Sequence, residues 1–281
     1  MKPERPSRTA HLVALGRAIA DAGLSHVADF HDPTARHFLN ERGVRSLEAV
    51  KKAAREGKRF ATRAMAGNMA DLMALRTSAI DAAVRDAIAG GAKQLVVLGA
   101  GYDGRAWRMP ELKGIEVYEV DRPVTQADKR QRADRLPPAV AAGVHFVATD
   151  FKSRSLESAL QGAGHDRSVP TCWIWEGVVM YLTRDVVRAT LGEIAGRSAP
   201  RSTLIVNYHE PNRRFLAKLM LRLIGEPQIG DRTREEMAAD LQAAGFSVRD
   251  DSGMVDWNAR FAGGQAKVER ASYMRLAVGR T

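Results

Sequence analysis

Residues 93–109, KQLVVLGAGYDGRAWRM, are the stretch that decides the fold. An apolar run over residues 95–98 leads directly into Gly99, Gly101 and Gly104, which have the G-x-G-x-x-G spacing. A strand followed by this spacing and a helix is typical of a nucleotide-binding turn, because glycine lets the backbone approach the ligand closely. The motif alone is weak evidence, so its meaning depends on the sequence around it.

Short β-rich runs alternate with helical runs after this first strand. The runs are QLVVLG, IEVYEV, VHFVATD, TCWIWEG and STLIVNY, and GFSVRDD and YMRLAVG near the end predict two more strands. Between them lie helical segments such as residues 184–195, where Thr183 is a predicted N-cap and Asp185 an acid in the first turn. The alternation predicts an α/β fold with a doubly wound, mostly parallel seven-stranded sheet of the Rossmann-like kind.

The residues before the sheet have a helical pattern. Residues 11–22 and 59–73 are rich in Ala, Leu and Met, and a further helix is predicted from Ser78 to the pair Gly90-Gly91. We expect one domain over residues 1–281, with an N-terminal helical cap at 1–75 and a core at 76–281. A lid insertion is expected near 211–232, where the helix at 215–224 has core packing as its alternative role.

The amino-acid composition limits the classes of protein to which the chain can belong. The 281 residues are 45% hydrophobic and 27% charged, and no apolar run reaches the roughly 18 residues of a membrane span, so we expect a soluble cytoplasmic protein. The single cysteine, Cys172, excludes an internal disulfide, and the seven histidines have no zinc-type spacing, so no metal is expected. The net charge is +10, yet basic and acidic residues are interleaved, which favours solvated helix faces over a nucleic-acid surface. The oligomeric state cannot be read from the sequence.

Acids, amides or glycine follow each of the first five predicted strands. They are Gly99 and Gly101; Glu119 and Asp121; Asp150 with Phe151; Glu176; and Asn207, Tyr208 and His209. Because the carboxyl ends of parallel strands meet at one edge, where such sheets bind ligands, these residues predict a binding edge. Asp121 lies about twenty residues beyond the glycines, where a carboxylate accepts hydrogen bonds from ribose hydroxyls.

The charges expected at this edge distinguish between cofactors. Pyrophosphate favours basic groups and is disfavoured by crowded carboxylates, and the edge contains five acids: Asp103, Glu119, Asp121, Asp150 and Glu176. S-adenosylmethionine carries a sulfonium, an ammonium and two ribose hydroxyls without phosphate, so it suits such an edge better. Its carboxylate needs a cation. Arg76 is a candidate, because guanidinium pairs bidentately with carboxylates, and an ordinary surface arginine is the alternative.

Eight stretches also resemble, in order, the blocks of the leucine carboxyl methyltransferase family. They are SRTAHLVALGRAIAD, DPTARHFL, LRTSAIDAAV, LVVLGAGYDGRAWRM, YEVDRPVTQADK, ATDF, WIWEGVVMYL and GEPQIG. The chain is similar in particular to the bacterial branch of S-adenosylmethionine-dependent methyltransferases and polyketide O-methyltransferases. The resemblance implies the class I methyltransferase fold and S-adenosylmethionine as the cofactor.

The resemblance also implies roles at the methionine end of that cofactor. Arg76 matches the arginine that holds the cofactor carboxylate, and Gly99 and Gly101 match the loop beneath the methionine part. Glu176 matches the acid near the methionine end.

At the adenosine end, Asp121 matches the acid that binds the ribose, and Asp150 with Phe151 matches the pair beside adenine. Arg122, next to the ribose acid, departs from the family pattern, as does the high basicity of the chain. Both departures concern the substrate more than the cofactor.

Methyl transfer from a sulfonium chiefly requires that nucleophile, methyl carbon and sulfur are held in line and that water is excluded. We therefore predict an O-methyltransferase that acts on a carboxylate or hydroxyl of a small molecule. A carboxylate acceptor needs no base, whereas a phenol or alcohol needs a proton acceptor. Tyr208, beside His209, is the predicted catalytic residue, and packing is the alternative role of this tyrosine.

Two other functions remain open at this point. In an NAD(P)-dependent oxidoreductase the glycines and Asp121 would have the same roles, Arg122 would suit a 2′-phosphate, and the protein would bind a dinucleotide. In a non-catalytic nucleotide- or RNA-binding protein the positive charge would bind the ligand, and binding would depend strongly on salt.

Overall fold

Seven strands form one sheet, as the sequence predicts. The computed structural model describes residues 8–57, 61–149, 155–211 and 228–281. The strands are β1 Gln94–Leu98, β2 Glu116–Asp121, β3 Gly143–Ala148, β4 Thr171–Trp175, β5 Thr203–His209, β6 Ser247–Gly253 and β7 Met274–Arg280. Their order is β3-β2-β1-β4-β5-β7-β6, with β1 to β5 parallel and β7 antiparallel to both of its neighbours. The predicted doubly wound fold is confirmed, and its order reverses between β1 and β4.

Helices cover both faces of the sheet. In the described residues they are α1 Arg8–Asp21, α2 Glu41–Arg55, α3 Ala61–Ala89, α4 Arg105–Arg108, α5 Pro123–Ala133, α6 Leu156–Gly162, α7 Arg184–Gly196, α8 Arg234–Ala243 and α9 Met254–Ala262. Thr183 is the N-cap of α7 with an extended backbone, although its side chain makes no cap hydrogen bond, and Asp185 lies in the first turn. None of these helices combines the length and the apolar composition that a membrane span needs.

One prediction about the helices is wrong. Two helices were expected, over residues 59–73 and from Ser78 onward, but α3 is a single helix of 29 residues. The residues between them, 74–77, contain no glycine or proline, and three of the four (Ala, Leu and Arg) are strong helix formers, so nothing in this segment ends the helix. Because α3 also crosses residue 75, the division into cap and core stays a prediction, and most of the expected lid lies outside the described residues.

The sheet separates two hydrophobic layers, because successive side chains of each strand point to opposite faces. Leu95 and Val97 of β1 pack in the layer of α1, α3 and α9, whereas Val96 and Leu98 pack in the layer of α6, α7 and α8. Trp173 and Trp175 on β4 also belong to the second layer and are almost fully buried. The two tryptophans are therefore core residues, as their alternation on a strand indicates.

Helix α1 lies over the loop that follows β1. A Cβ atom built on Gly101 would be 3.4 Å from the Cβ atom of Ala10, and the His11 ring contacts the Tyr102 ring edge-on, with centroids 4.7 Å apart. The Arg17 guanidinium donates a hydrogen bond to the Tyr102 carbonyl oxygen. The N-terminal helices are therefore in contact with the predicted glycine loop.

Candidate functional site

The edge formed by the carboxyl ends of β1, β2 and β4 brings together the described cofactor-binding candidates. Gly99 and Gly101 follow β1, and Asp121 is the last residue of β2. Glu176 follows β4, and Arg76 reaches it from α3, with 2.8 Å between Arg76 Nη2 and Glu176 Oε1. Residues from four separate segments therefore lie at one edge, next to the point where the strand order reverses.

The glycine spacing is explained by close contacts with neighbouring segments. Gly99 has a φ of +66°, and a Cβ atom there would lie 2.4 Å from Val178 Cγ2, in the segment after β4. A Cβ atom on Gly104, the N-cap of α4, would lie 1.8 Å from Thr34 Oγ1. The first and third glycines therefore let two other segments approach the loop closely.

Asp121 holds the glycine loop through both carboxylate oxygens. Oδ2 accepts a hydrogen bond from the Gly101 backbone N–H at 2.5 Å, and Oδ1 accepts one from the Arg122 N–H at 2.6 Å. Burial raises the pKa of Asp121, and the two backbone hydrogen bonds oppose that shift. Each oxygen retains a lone pair, so the carboxylate can still accept hydroxyl groups of a ligand.

The described part of the edge is less negative than its acids alone indicate, because three of the five predicted acids are paired with cations. Glu176 contacts Arg76 and Arg105, Asp103 contacts Arg105, and Glu119 contacts Lys129. Buried carboxylates require such partners, because an unpaired charge is costly away from water. The sequence places the acids at strand ends, but their cations come from α3, α4 and α5, which no strand pattern brings to the edge.

Eight side chains of the described residues form a largely buried network of charges, named here the arginine–carboxylate network. Its members are Arg17, Asp32, Arg76, Asp81, Asp103, Arg105, Arg108 and Glu176. Four arginines balance four carboxylates. The network joins α1, the segment before α2, α3, the loop after β1 and the end of β4. Within the described residues, no group of three or more His, Cys, Asp or Glu side chains is arranged to hold a metal ion.

The network keeps Asp103 and Glu176 ionised. Burial alone would raise the pKa of Asp103, but the charges of Arg105 and Lys129 outweigh this effect and lower its pKa to about 2. Burial opposes ionisation of Glu176 in the same way, and the charges of Arg76 and Arg105 lower its pKa. Both groups are therefore carboxylates at neutral pH.

Sequence reasoning missed Arg105, Arg108 and Asp81. Arg105 Nε lies 2.7 Å from Asp81 Oδ1, and Arg108 Nη1 lies 2.7 Å from Asp81 Oδ2. The sequence DGRAWR contains a signal for the two arginines, because residues three positions apart share one face of a helix. Asp81, twenty-four positions upstream, carries no comparable local signal.

Tyr208 is not brought together with these residues. Its side chain packs in the layer of α6, α7 and α8, and its hydroxyl donates a hydrogen bond to Asp251 Oδ2 on β6 at 2.7 Å. Burial and this hydrogen bond raise the pKa of Tyr208. The His209 ring contacts Tyr273 edge-on at a centroid distance of 4.8 Å. The catalytic role of Tyr208 stays a prediction, as do the roles of Asp150 and Phe151, which lie outside the described residues.

Comparison with known sequences identifies the family. Residues 10–195 match the family described as leucine carboxyl methyltransferase. The chain belongs to the leucine carboxyl methyltransferase family. The family predicted from the eight resembling stretches is confirmed.

Two relatives of the chain carry the same name, "Putative S-adenosyl-L-methionine-dependent methyltransferase". One, from Mycolicibacterium gilvum, is 34% identical over 204 residues, which cover 71% of this chain and 65% of that protein. The other, from Mycobacterium marinum, is 34% identical over 201 residues, 72% of this chain and 65% of that protein. The chain therefore spans about two thirds (65%) of the length of these curated relatives.

Solved structures share the fold of this leucine carboxyl methyltransferase family member. A "putative methyltransferase" from Thermobifida fusca has a TM-score of 0.58 and 15% identity, and the match covers 99% of this chain and 95% of that one. A DUF574 family protein from Streptomyces avermitilis has a TM-score of 0.62 and 14% identity, with 98% of each chain covered. At this identity the likeness shows the fold alone, over almost the whole chain.

Substitution of Gly99 by alanine tests the packing of the glycine loop. We expect Gly99→Ala to lower the free energy of unfolding by about 2–4 kcal/mol, through backbone strain and overpacking against Val178. Gly114→Ala is the matched control, because Gly114 has a φ of +80° but no described atom lies within 4 Å of the added Cβ. It should lose only about 1 kcal/mol. Equal losses in urea denaturation would contradict the close contact.

The pKa of Asp103 predicts a dependence of stability on pH. Its folded pKa of about 2 is below the ordinary aspartate value of 3.8, so the stabilisation is present above pH 3.8 and is lost as the pH falls towards 2. The shift corresponds to about 2 kcal/mol. In urea denaturation, the advantage of wild type over Asp103→Asn should therefore shrink by about that amount between pH 5 and pH 2. Asp134→Asn, at an exposed position, controls for the loss of one surface carboxylate. A constant difference for Asp103→Asn would contradict the arginine pairing.

Proposed function

We propose that this protein transfers a methyl group from S-adenosylmethionine to a carboxylate or hydroxyl oxygen of a small molecule. Membership of the leucine carboxyl methyltransferase family and the names of the relatives support methyl transfer from this cofactor. The observation that carries the proposal is the combination of two unlike groups at one edge. They are the Arg76–Glu176 ion pair and the Asp121 carboxylate on the glycine loop.

These two groups complement the two ends of one ligand. A guanidinium next to a carboxylate matches the carboxylate and ammonium of an amino acid, and a carboxylate that can accept two hydroxyls matches a ribose. S-adenosylmethionine contains an amino acid and a ribose, whereas a nicotinamide dinucleotide has no amino-acid group. The cofactor, when bound, would supply an activated methyl group.

Each described residue would then have a distinct role in holding that cofactor. Arg76 would bind the carboxylate and Glu176 the ammonium, with the backbone of Gly99 and Gly101 beneath the methionine part. Asp121 would accept the ribose hydroxyls. The resemblance assigns the adenine to Asp150 and Phe151. Helix α1, which lies against Gly101 and Tyr102 through Ala10 and His11, would help to exclude water.

The state of Tyr208 favours a carboxylate as the methyl acceptor. A carboxylate is already a nucleophile and needs no base, whereas a hydroxyl acceptor needs one. The Tyr208 hydroxyl donates a hydrogen bond to Asp251 and its pKa is raised, so it stays protonated and is poorly suited to remove a proton from an acceptor. We expect a small carboxylic acid as substrate, and the cytoplasm stays the predicted location.

Calorimetric titration tests the cofactor. We expect S-adenosylmethionine and S-adenosylhomocysteine to bind and NAD not to bind. Asp121→Ala should weaken binding of S-adenosylhomocysteine by about 10- to 100-fold, because two hydrogen bonds to a charged group are lost. Asp134→Ala, at the exposed end of α5, is the control that removes a carboxylate away from the edge. Binding of NAD alone, or of RNA alone with strong salt dependence, would refute the proposal.

Tyr208→Phe tests the catalytic prediction for this residue. We expect it to lower the free energy of unfolding by about 1 kcal/mol through loss of the hydrogen bond to Asp251, and to leave kcat within about threefold. Activity would be measured with an acceptor found by screening small carboxylic acids for methyl-ester formation. A fall in kcat of about 100-fold or more, with a changed pH profile, would instead support Tyr208 as the base.

A further inference from the structure

Glu176 is shared between two arginines, one at each carboxylate oxygen. Oε1 lies 2.8 Å from Arg76 Nη2, and Oε2 lies 3.1 Å from Arg105 Nη1. The two arginines differ in their other contacts. Arg76 has no other ion pair among the described residues, whereas Arg105 also contacts Asp81 and Asp103.

This arrangement has a consequence if the cofactor binds as proposed. The incoming cofactor carboxylate would take the guanidinium of Arg76, which at present holds Glu176. Two carboxylates at one guanidinium repel each other, and this repulsion favours separation of Glu176 from Arg76. The Glu176 side chain would then depend on its second arginine to stay in position for the ammonium.

The other contacts of Arg105 fix its guanidinium in place beside Glu176. Its side chain is 2% exposed, Nε lies 2.7 Å from Asp81 Oδ1, and its backbone N–H donates to Asp103 Oδ1 at 2.8 Å. Asp103 also binds the guanidinium itself. A guanidinium fixed by carboxylates on α3 and on the glycine loop cannot turn away with the ligand, so its bond to Glu176 Oε2 can persist.

We propose that Arg105 is a positioning residue, which holds Glu176 in place for the amino end of the cofactor while Arg76 binds the cofactor carboxylate. This inference rests on the proposed function, since it assumes that S-adenosylmethionine occupies the edge. Arg105 itself touches no part of the cofactor and acts through Glu176.

Arg108 provides a matched control within the same short helix. Like that of Arg105, its side chain is buried and binds Asp81, with 2.7 Å between Arg108 Nη1 and Asp81 Oδ2. Its remaining ion pair is with Asp32, at 3.7 Å, and it does not contact Glu176. A role that is only structural would therefore affect Arg105 and Arg108 variants alike.

The experiment compares two ligands that differ in the amino-acid group. S-adenosylhomocysteine has it, and 5′-methylthioadenosine has the adenosine and the thioether without it. Affinities for both are measured by calorimetry for wild type, Arg105→Lys and Arg108→Lys, after circular dichroism shows that each variant is folded. We expect Arg105→Lys to lower the ratio of the two affinities by about tenfold or more, since a charge-assisted contact is weakened. Arg108→Lys should leave the ratio within about twofold.

The Glu176→Gln variant tests whether Arg105 acts through Glu176. It should lower the same ratio, and adding Arg105→Lys to it should cause little further loss, because Arg105 acts through Glu176. If Arg105→Lys does not fold, Asp103→Asn replaces it, because this change frees the guanidinium from one of its anchors. That variant should also lower the ratio.

The outcomes separate the two proposals. A wild-type protein that binds neither ligand overturns the proposed function and this inference with it. A wild type that binds both, with an unchanged ratio in Arg105→Lys, overturns the positioning role and leaves the proposed function standing. Equal falls in the ratio for the Arg105 and Arg108 variants would also overturn it, since they would indicate a structural role.

Discussion

The geometry of the candidate site depends on one buried guanidinium, that of Arg105. It binds carboxylates from three separate parts of the chain: Asp81 on α3, Asp103 on the glycine loop and Glu176 after β4. A buried cation is tolerated only with such partners, and each buried carboxylate needs the cation in turn. Because each charge needs the other, the pairing fixes the positions of α3, the glycine loop and the end of β4 relative to each other.

Much of the fold could be predicted because it depends on local patterns. The buried parallel strands β1, β4 and β5 are near-continuous apolar runs in the sequence, which is why they could be recognised. The antiparallel strands β6 and β7 were also predicted, although β6 is largely polar and exposed. The continuity of α3 was missed. Thr77 and Ser78 resemble a helix start, but the residues before them are strong helix formers without glycine or proline, and the helix continues through them.

The candidate site was predicted in part for a similar reason. Gly99, Gly101 and Asp121 follow from spacing along the chain, and the structure joins Gly101 to Asp121 by a hydrogen bond. The pairing of charges does not follow from spacing. Asp81 and Arg105 are 24 positions apart, and their contact depends on how α3 packs beside the loop. A count of acids at strand ends therefore overestimated the negative charge of this edge.

The corrected charge balance changes how the edge would distinguish between ligands. A network of four arginines and four carboxylates is neutral, so it offers no general attraction to a cation. An amino-acid group is itself neutral overall and can enter by exchanging partners with Arg76 and Glu176, without leaving an uncompensated buried charge. A pyrophosphate would add negative charge to a region whose cations are already engaged, at the cost of desolvating it. Selection against dinucleotides would then arise from paired charges, each of which accepts one end of a zwitterion, rather than from an excess of carboxylates.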